Sequence, residues 1–164
     1  MSEEIIIVDE YDNVVSYKKR KDLQAEDIYR VSALWLTNSK GEILLAQRAY
    51  DKKHHPGKWG PSVAGTIESG ETYDDNIIKE AEEEIGLKGV DFKKGPKELN
   101  KKDYSHYTQW YLAVVDRNIE DFIVQPGEVV KVRWFNKEEL IKKINTDPDF
   151  FTPNFPHYFK LLNK

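Results

Sequence analysis

The sequence predicts an α/β or α+β fold, a mixed sheet carrying few helices on its faces. Short apolar or alternating segments, each bracketed by turn residues, recur on both sides of one strongly amphipathic stretch at residues 73–85. No internal repeat or low-complexity linker interrupts them. With 39% hydrophobic and 12% aromatic content over 164 residues, the chain is long and apolar enough for one domain with a real core.

Taken in order, residues 5–8 and 14–17 bracket Asp12-Asn13 and read as a hairpin. Residues 31–37 and 42–46 bracket Asn38-Ser39-Lys40-Gly41 and read as a second one. The stretch 73–85 reads as a helix: Thr72 is a natural N-cap, Asp75 can reach back to the cap, and Gly86 can adopt the left-handed conformation that closes the helix, with Leu87 packing over the last turn. Ile77, Ala81 and Ile85, with Ile78 beside them, form its apolar stripe. Residues 108–115 read as a central strand and 129–135 as another. Asn136 can cap a helix beginning near Lys137 and running through Leu140-Ile141.

The second face of the helix at 73–85 carries the chemistry. Glu80, Glu83 and Glu84 are related as i, i+3 and i+4 and share one arc. Like charges so placed repel, and a cation relieves the repulsion. An acidic run is usually just a solvated helix face. Here it is preceded by Glu71 in a glycine-flanked turn and framed by Gly65 and Gly86 at fixed separations, a loop-helix-loop suited to holding a divalent metal against a diphosphate.

Charge and composition exclude other classes. A formal net charge of -4 gives no generalised attraction to nucleic acid or membranes. The absence of cysteine removes disulfides, thiolate nucleophiles and zinc-thiolate sites. The opening Met1-Ser2-Glu3-Glu4 is too acidic, and the apolar run ending at Val8 too short, for a signal peptide, and no stretch approaches a transmembrane span. A cytoplasmic protein is expected, and an oligomer is compatible with these features.

The segment from Gly65 to Leu87 resembles the Nudix box, G-x5-E-x7-R-E-U-x-E-E-x-G-U with U a bulky aliphatic residue. Gly65, Glu71, Glu80, Glu83, Glu84, Gly86 and Leu87 match it, while Lys79 stands in the arginine position and Ala81 is small for the aliphatic one. The resemblance implies an α/β/α sandwich and a single Nudix domain over residues 1–164, with an N-terminal hairpin extension (1–30), a Nudix core (31–144) and a C-terminal segment (145–164). It further implies a Nudix pyrophosphohydrolase that cleaves a diphosphate bond in a nucleoside diphosphate derivative or similar small molecule with Mg²⁺, for which Mn²⁺ can substitute. Glu80 and Glu84 are the first choices as ligands, Glu83 follows, and the backbone carbonyl of Ala64 is implied as another. The general base is left open between Glu83, Glu80 and other carboxylates within reach. Arginine at position 79 would hold a catalytic glutamate with a planar fork; Lys79 is a point charge on a flexible stem, and an ordinary surface pairing with Glu83 or Asp75 is the other reading.

Several segments outside the box are similar to the isopentenyl-diphosphate isomerase branch of the same superfamily: Leu44 to Ala49, Pro56-Gly57-Lys58-Trp59, residues 8–15 and residues 151–155. That branch shifts a double bond using a cysteine and a histidine-bound metal. Here Ala64 falls in the cysteine position and Thr66, Asp22 and Tyr29 in or near those of the histidines. An alanine offers no ionisable group. The expectation is therefore an isomerase-like frame carrying hydrolase machinery, with an isomerase-like enzyme or a non-catalytic diphosphate-binding module as the alternatives.

Outside the box, Arg48 and Lys58 are candidate phosphate contacts, and Trp59 either stacks on a substrate base or closes the core. His54-His55 are surface histidines or phosphate contacts. Glu128 lies where the family can bring in a distant acid as ligand or base, or is a plain loop carboxylate.

Overall fold

The computed structural model describes residues 3–102 and 104–163. It opens with strands β1 (Glu4–Val8) and β2 (Val14–Lys19), the antiparallel hairpin expected from the sequence. Asp9 shapes the turn by accepting the backbone N–H groups of Tyr11 (2.8 Å) and Asn13 (3.0 Å). Seven further strands follow: β3 (Ile28–Thr37), β4 (Ile43–Arg48), β5 (Trp59–Pro61), β6 (Val63–Thr66), β7 (Lys93–Asn100), β8 (His106–Val114) and β9 (Val129–Phe135). All join one mixed sheet. Strand β3 is its hub, pairing with β1, β4 and β6 antiparallel and with β8 parallel; β7 extends the sheet beyond β8, and β5 and β9 extend it beyond β4.

Alternation along β3 and β4 sets the layers, because successive side chains point to opposite faces. Leu34, Leu36, Leu44 and Ala46 pack with Ile77, Ala81 and Ile85 of helix α1 (Tyr73–Ile85). Ala33, Trp35, Ile43 and Leu45 pack on the other face with Leu140 of α2 (Lys137–Thr146) and Phe155, Phe159 and Leu162 of α3 (Phe155–Leu162). The result is the α/β/α sandwich.

Helix α1 has the bounds and caps that its sequence implies. Thr72 and Asp75 form a reciprocal capping box, and Gly86 closes the helix at φ 67° with its N–H turned to the carbonyls of Ala81 and Glu82. Ile78 departs from the expectation: it is 57% exposed and lies off the stripe.

Four elements are absent from the sequence reading. Strands β5 and β6 are too short to show alternation. Strand β7 contains Gly95-Pro96, is rich in lysine and has an irregularity in its pairing between Lys94 and Lys97, as a sheet-edge strand tolerates. Helix α3 begins at Phe155-Pro156, with proline in its first turn.

The N-terminal hairpin is tied to the remainder by one carboxylate. Asp12, at φ 64°, accepts from Arg30 Nε (2.7 Å), Lys97 Nζ (2.7 Å) and the Tyr73 hydroxyl (3.0 Å), while Arg30 Nη2 donates to its carbonyl (2.7 Å). Ser69 N–H also donates to the Glu4 carbonyl (2.8 Å), so the hairpin grips both the loop before α1 and its first residue. Burial raises the Asp12 pKa, but Lys97, Arg30 and Tyr73 together hold it below its ordinary value.

Candidate active site

The site begins where α1 lies on β6. The backbone N–H of Ile67 donates to the Arg30 carbonyl at 2.9 Å, which fixes the alternation along this strand. Residues 63, 65 and 67 turn their peptide groups toward β3, and residues 64 and 66 turn theirs away from it. The Thr66 carbonyl accordingly accepts from Asn76 Nδ2 of α1 (3.2 Å), and the Ala64 backbone hydrogen-bonds Glu84. The carbonyl of Ala64 leaves the strand on this same side.

Gly65 permits the close approach. A Cβ there would stand 2.4 Å from Glu80 Cγ and 2.9 Å from Asn76 Oδ1, so any side chain would push α1 away. Asn76, fully buried, joins helix to strand: it accepts from Ser32 Oγ (2.6 Å) and donates to the Thr66 carbonyl and to Glu71 Oε1 (3.1 Å). Sequence reasoning passed over Asn76 and Ser32. The pattern gave no signal of this burial, since Asn76 lies one turn before Glu80 on the arc that carries the glutamates and off the apolar stripe.

Glu71 is the centre of a second network. It accepts from the Glu68 N–H (2.8 Å), from Asn76, and from Lys79 Nζ at 2.6 Å. Burial raises its pKa, but these three partners pull it below the ordinary value. Lys79 lies 3.8 Å from both Glu68 and Glu80. Neither expected surface partner, Glu83 or Asp75, forms an ion pair with it among the described residues. The acidic loop holds the ammonium instead.

Glu80 and Glu84 face each other across one turn of α1. Burial, a side-chain hydrogen bond with Glu80, and the charges of Glu80 and Glu128 hold the Glu84 pKa far above the carboxylate range, against the lowering contact from Ala64. A carboxyl group so buried beside other carboxyl groups favours a proton or a cation at its side. Glu83 is exposed and points into the same cleft apart from that pair.

Glu128 arrives from a distant part of the chain. The segment before β9 is laced to the end of α1 by Ile123 N–H to the Ile85 carbonyl (3.1 Å) and Gln125 N–H to the Glu84 carbonyl (2.9 Å). Ala49 N–H donates to the Glu128 carbonyl (3.1 Å), and Lys52 is ion-paired with its carboxylate. Arg48 shares this neighbourhood. Burial lowers its pKa while Glu128 and Glu84 oppose the shift, and its Nε donates to the His54 carbonyl (2.9 Å). Ala64, Gly65, Glu80, Glu83, Glu84, Arg48 and Glu128 all line a single cleft of about 800 Å³, with His54 and His55 at its wall.

Two of the candidates lie away from the cleft, and of its two readings Trp59 takes the one that closes the core. Trp59 is 5% exposed and stacks on Phe150 (5.8 Å, planes 9° apart) and edge-on to Phe135 (5.3 Å), so it closes the core and offers no face to a substrate. Lys58 donates to the Asp149 carbonyl (2.6 Å) and lies outside the cleft lining. Register explains the first: residue 59 pairs with Gln47 of β4, which turns its ring to the α2–α3 face.

The fold and this loop-helix-loop define the family, and the chain belongs to the NUDIX domain family, which it matches over residues 28–155. It is 30% identical to an uncharacterized Nudix hydrolase of Yersinia pestis, over 90% of this chain and 79% of that one. It is 26% identical to the isopentenyl-diphosphate Delta-isomerase of Citrobacter koseri, over 92% and 87%. A crystal structure of a Deinococcus radiodurans protein superposes with TM-score 0.83 at 24% identity, covering 98% of this chain and 99% of that one. Among the described residues no helix is long and apolar enough to cross a membrane.

Proposed function

We propose that this chain is a divalent-metal-dependent hydrolase of a diphosphate bond in a nucleoside diphosphate derivative or a similar small molecule. The observation that carries the reading is the lining of one cleft, wide enough for a nucleotide-sized compound, by Glu80, Glu83, Glu84 and Glu128 beside the Ala64 backbone.

The donor set fits a hard cation. Glu80, Glu84 and the Ala64 carbonyl supply oxygen, and the strong proton affinity of Glu84 marks a place where positive charge is favoured. Among the described residues no group of three or more histidine, aspartate or glutamate side chains is arranged to hold a metal ion, so the proposed donors are two carboxylates and a backbone carbonyl. Mg²⁺ takes one or two carboxylates and completes its shell with phosphate and water; Mn²⁺ has similar oxygen preferences. When bound, the metal supplies Lewis acidity that neutralises the diphosphate and lowers the pKa of water.

The chain's own residues supply the remaining functions. Arg48, half-withdrawn from solvent, is placed to meet a phosphate oxygen. Glu83, Glu80 and, beside Lys52, Glu128 are the candidates to take a proton from the attacking water. Lys79, Glu71 and Asn76 act by position: they fix the loop, the helix and the strand edge against one another.

The isomerase reading has the support of relatives 26–27% identical. Against it stand the absence of cysteine from the chain and the occupation of the corresponding position by Ala64, whose methyl group can neither give nor take a proton. A purely binding module would have little use for carboxylates held under mutual repulsion. The test is a panel of diphosphate compounds, including a nucleoside diphosphate sugar, a dinucleotide and isopentenyl diphosphate, incubated with Mg²⁺ or Mn²⁺ and analysed for product. Metal-dependent cleavage of at least one compound is expected. Isomerisation without cleavage would overturn the reading.

A further inference from the structure

Away from the carboxylates, the cleft wall is aromatic. Tyr29 and His106 are partners in the parallel β3–β8 register, and their rings stack at 5.3 Å with planes 26° apart. His54 meets Tyr104 edge-on at 5.8 Å, and all four residues line the cleft. Four strand residues, about 13 Å, separate Tyr29 from Ala33, which lies opposite Ala64 beside the carboxylates. The same cleft joins the two, so the group attached to a diphosphate held at the carboxylates can extend along it to this wall.

His106 has a defined hydrogen-bonding state. Its Nδ1 stands 2.9 Å from the Tyr104 carbonyl oxygen. A carbonyl can only accept, so Nδ1 carries the hydrogen and Nε2 keeps a lone pair in the neutral ring. Burial lowers the His106 pKa, with the Tyr104 contact opposing, which favours that neutral form. Among the described residues Nε2 has no hydrogen-bond partner.

We propose that His106 is a specificity-determining residue, its Nε2 accepting a hydrogen bond from an O–H or N–H group on the moiety attached to the diphosphate while Tyr29 holds the ring in place. The placement of the diphosphate rests on the hydrolase reading; the preference does not. A prenyl chain has no such donor, whereas sugars and bases carry several. The same pocket thus favours polar diphosphate esters over the alkyl diphosphate of the isomerase relatives.

The test is calorimetric, with Ca²⁺ in place of Mg²⁺, using UDP-glucose, ADP-ribose and isopentenyl diphosphate as probes. In the unmodified protein at least one of the first two should bind about tenfold more tightly than isopentenyl diphosphate, the scale of one net hydrogen bond. His106→Phe keeps a flat ring against Tyr29 and should collapse this margin to about threefold or less; His106→Gln, which can present an amide oxygen near the Nε2 position, should restore much of it. Unchanged affinity for isopentenyl diphosphate in both variants serves as the folding control. Equal or tighter binding of isopentenyl diphosphate by the unmodified protein, or a margin untouched by His106→Phe, would overturn the proposal. A protein that kept the margin but cleaved nothing with Mg²⁺ would support the subsite and remove the hydrolytic reading alone.

Discussion

Lys79 Nζ stands 2.6 Å from Glu71 Oε2 and 3.8 Å from Glu80 Oε1, bridging the loop that precedes α1 to the carboxylate that faces Glu84. A lysine makes this bridge as a point charge; the family's arginine would make it with a fork. Lys79→Arg should therefore retain activity within a few-fold of the unmodified protein. Lys79→Met should lower kcat by on the order of tenfold or more, with KM little changed and stability reduced by only about 1 kcal/mol. Steady-state kinetics beside thermal melts separate the two effects, and equal loss in both variants would remove the positioning role.

Gly65 offers a steric test of the same frame. Gly65→Ala places a methyl group 2.4 Å from Glu80 Cγ and should cost about 1–3 kcal/mol and at least tenfold in turnover. Gly41→Ala, in the β3–β4 turn at φ 79° with open space around it, should cost about 1 kcal/mol through backbone strain and leave turnover intact. Comparing activity at matched stability distinguishes displacement of the glutamates from general loosening.

The Asp12 hub should set the acid limit of the fold. Its pKa is lowered in the folded state, so its stabilisation is full above the unfolded value and is lost as pH falls through the folded one, below about pH 4. Asp12→Asn keeps a residue that tolerates left-handed φ while removing the charge. It should lower stability by about 2 kcal/mol at neutral pH and flatten the fall in melting temperature as pH drops below about 4. Melting curves across that range check both.

The acidic face of α1 should divide by position. Glu84→Gln and Glu80→Gln should lower turnover by on the order of 10² to 10⁴ while the protein remains folded. Glu82→Gln, exposed and rotated away from the cleft, should be nearly silent. Mg²⁺ at about 100 times its dissociation constant should raise the melting temperature of the unmodified protein by roughly 5–10 °C, and of Glu84→Gln by much less. If all three variants behave alike, the run is only a solvated face.

What could be read from the sequence follows from where the information lies. Helix α1, its capping box and its Gly86 closure are local devices, written in consecutive residues, and the structure has them where the sequence puts them. The α/β/α layering followed from the resemblance, and alternation on β3 and β4 gives it a physical basis. Register was not legible: whether Trp59 faced the cleft or the core depended on its pairing with Gln47, and Lys58 went to a carbonyl ninety-one residues away. The same holds for Asp12, whose partners Arg30, Tyr73 and Lys97 come from three separate elements, and for His106, a strand-end residue whose role appears only beside Tyr29. Strand β7 escaped notice because edge strands need little apolar alternation.

The most direct measurement of the central claim follows the isotopes. The purified protein is incubated with Mg²⁺ and the diphosphate panel in water enriched in both ¹⁸O and deuterium, and the products are weighed by mass spectrometry. Hydrolysis at phosphorus should place ¹⁸O in a phosphate-bearing product of at least one compound, in the unmodified protein and not in Glu84→Gln, with isopentenyl diphosphate acquiring no deuterium. Deuterium in dimethylallyl diphosphate, with no ¹⁸O in any phosphate product, would contradict the account and place the chain with its isomerase relatives in chemistry as well as in fold.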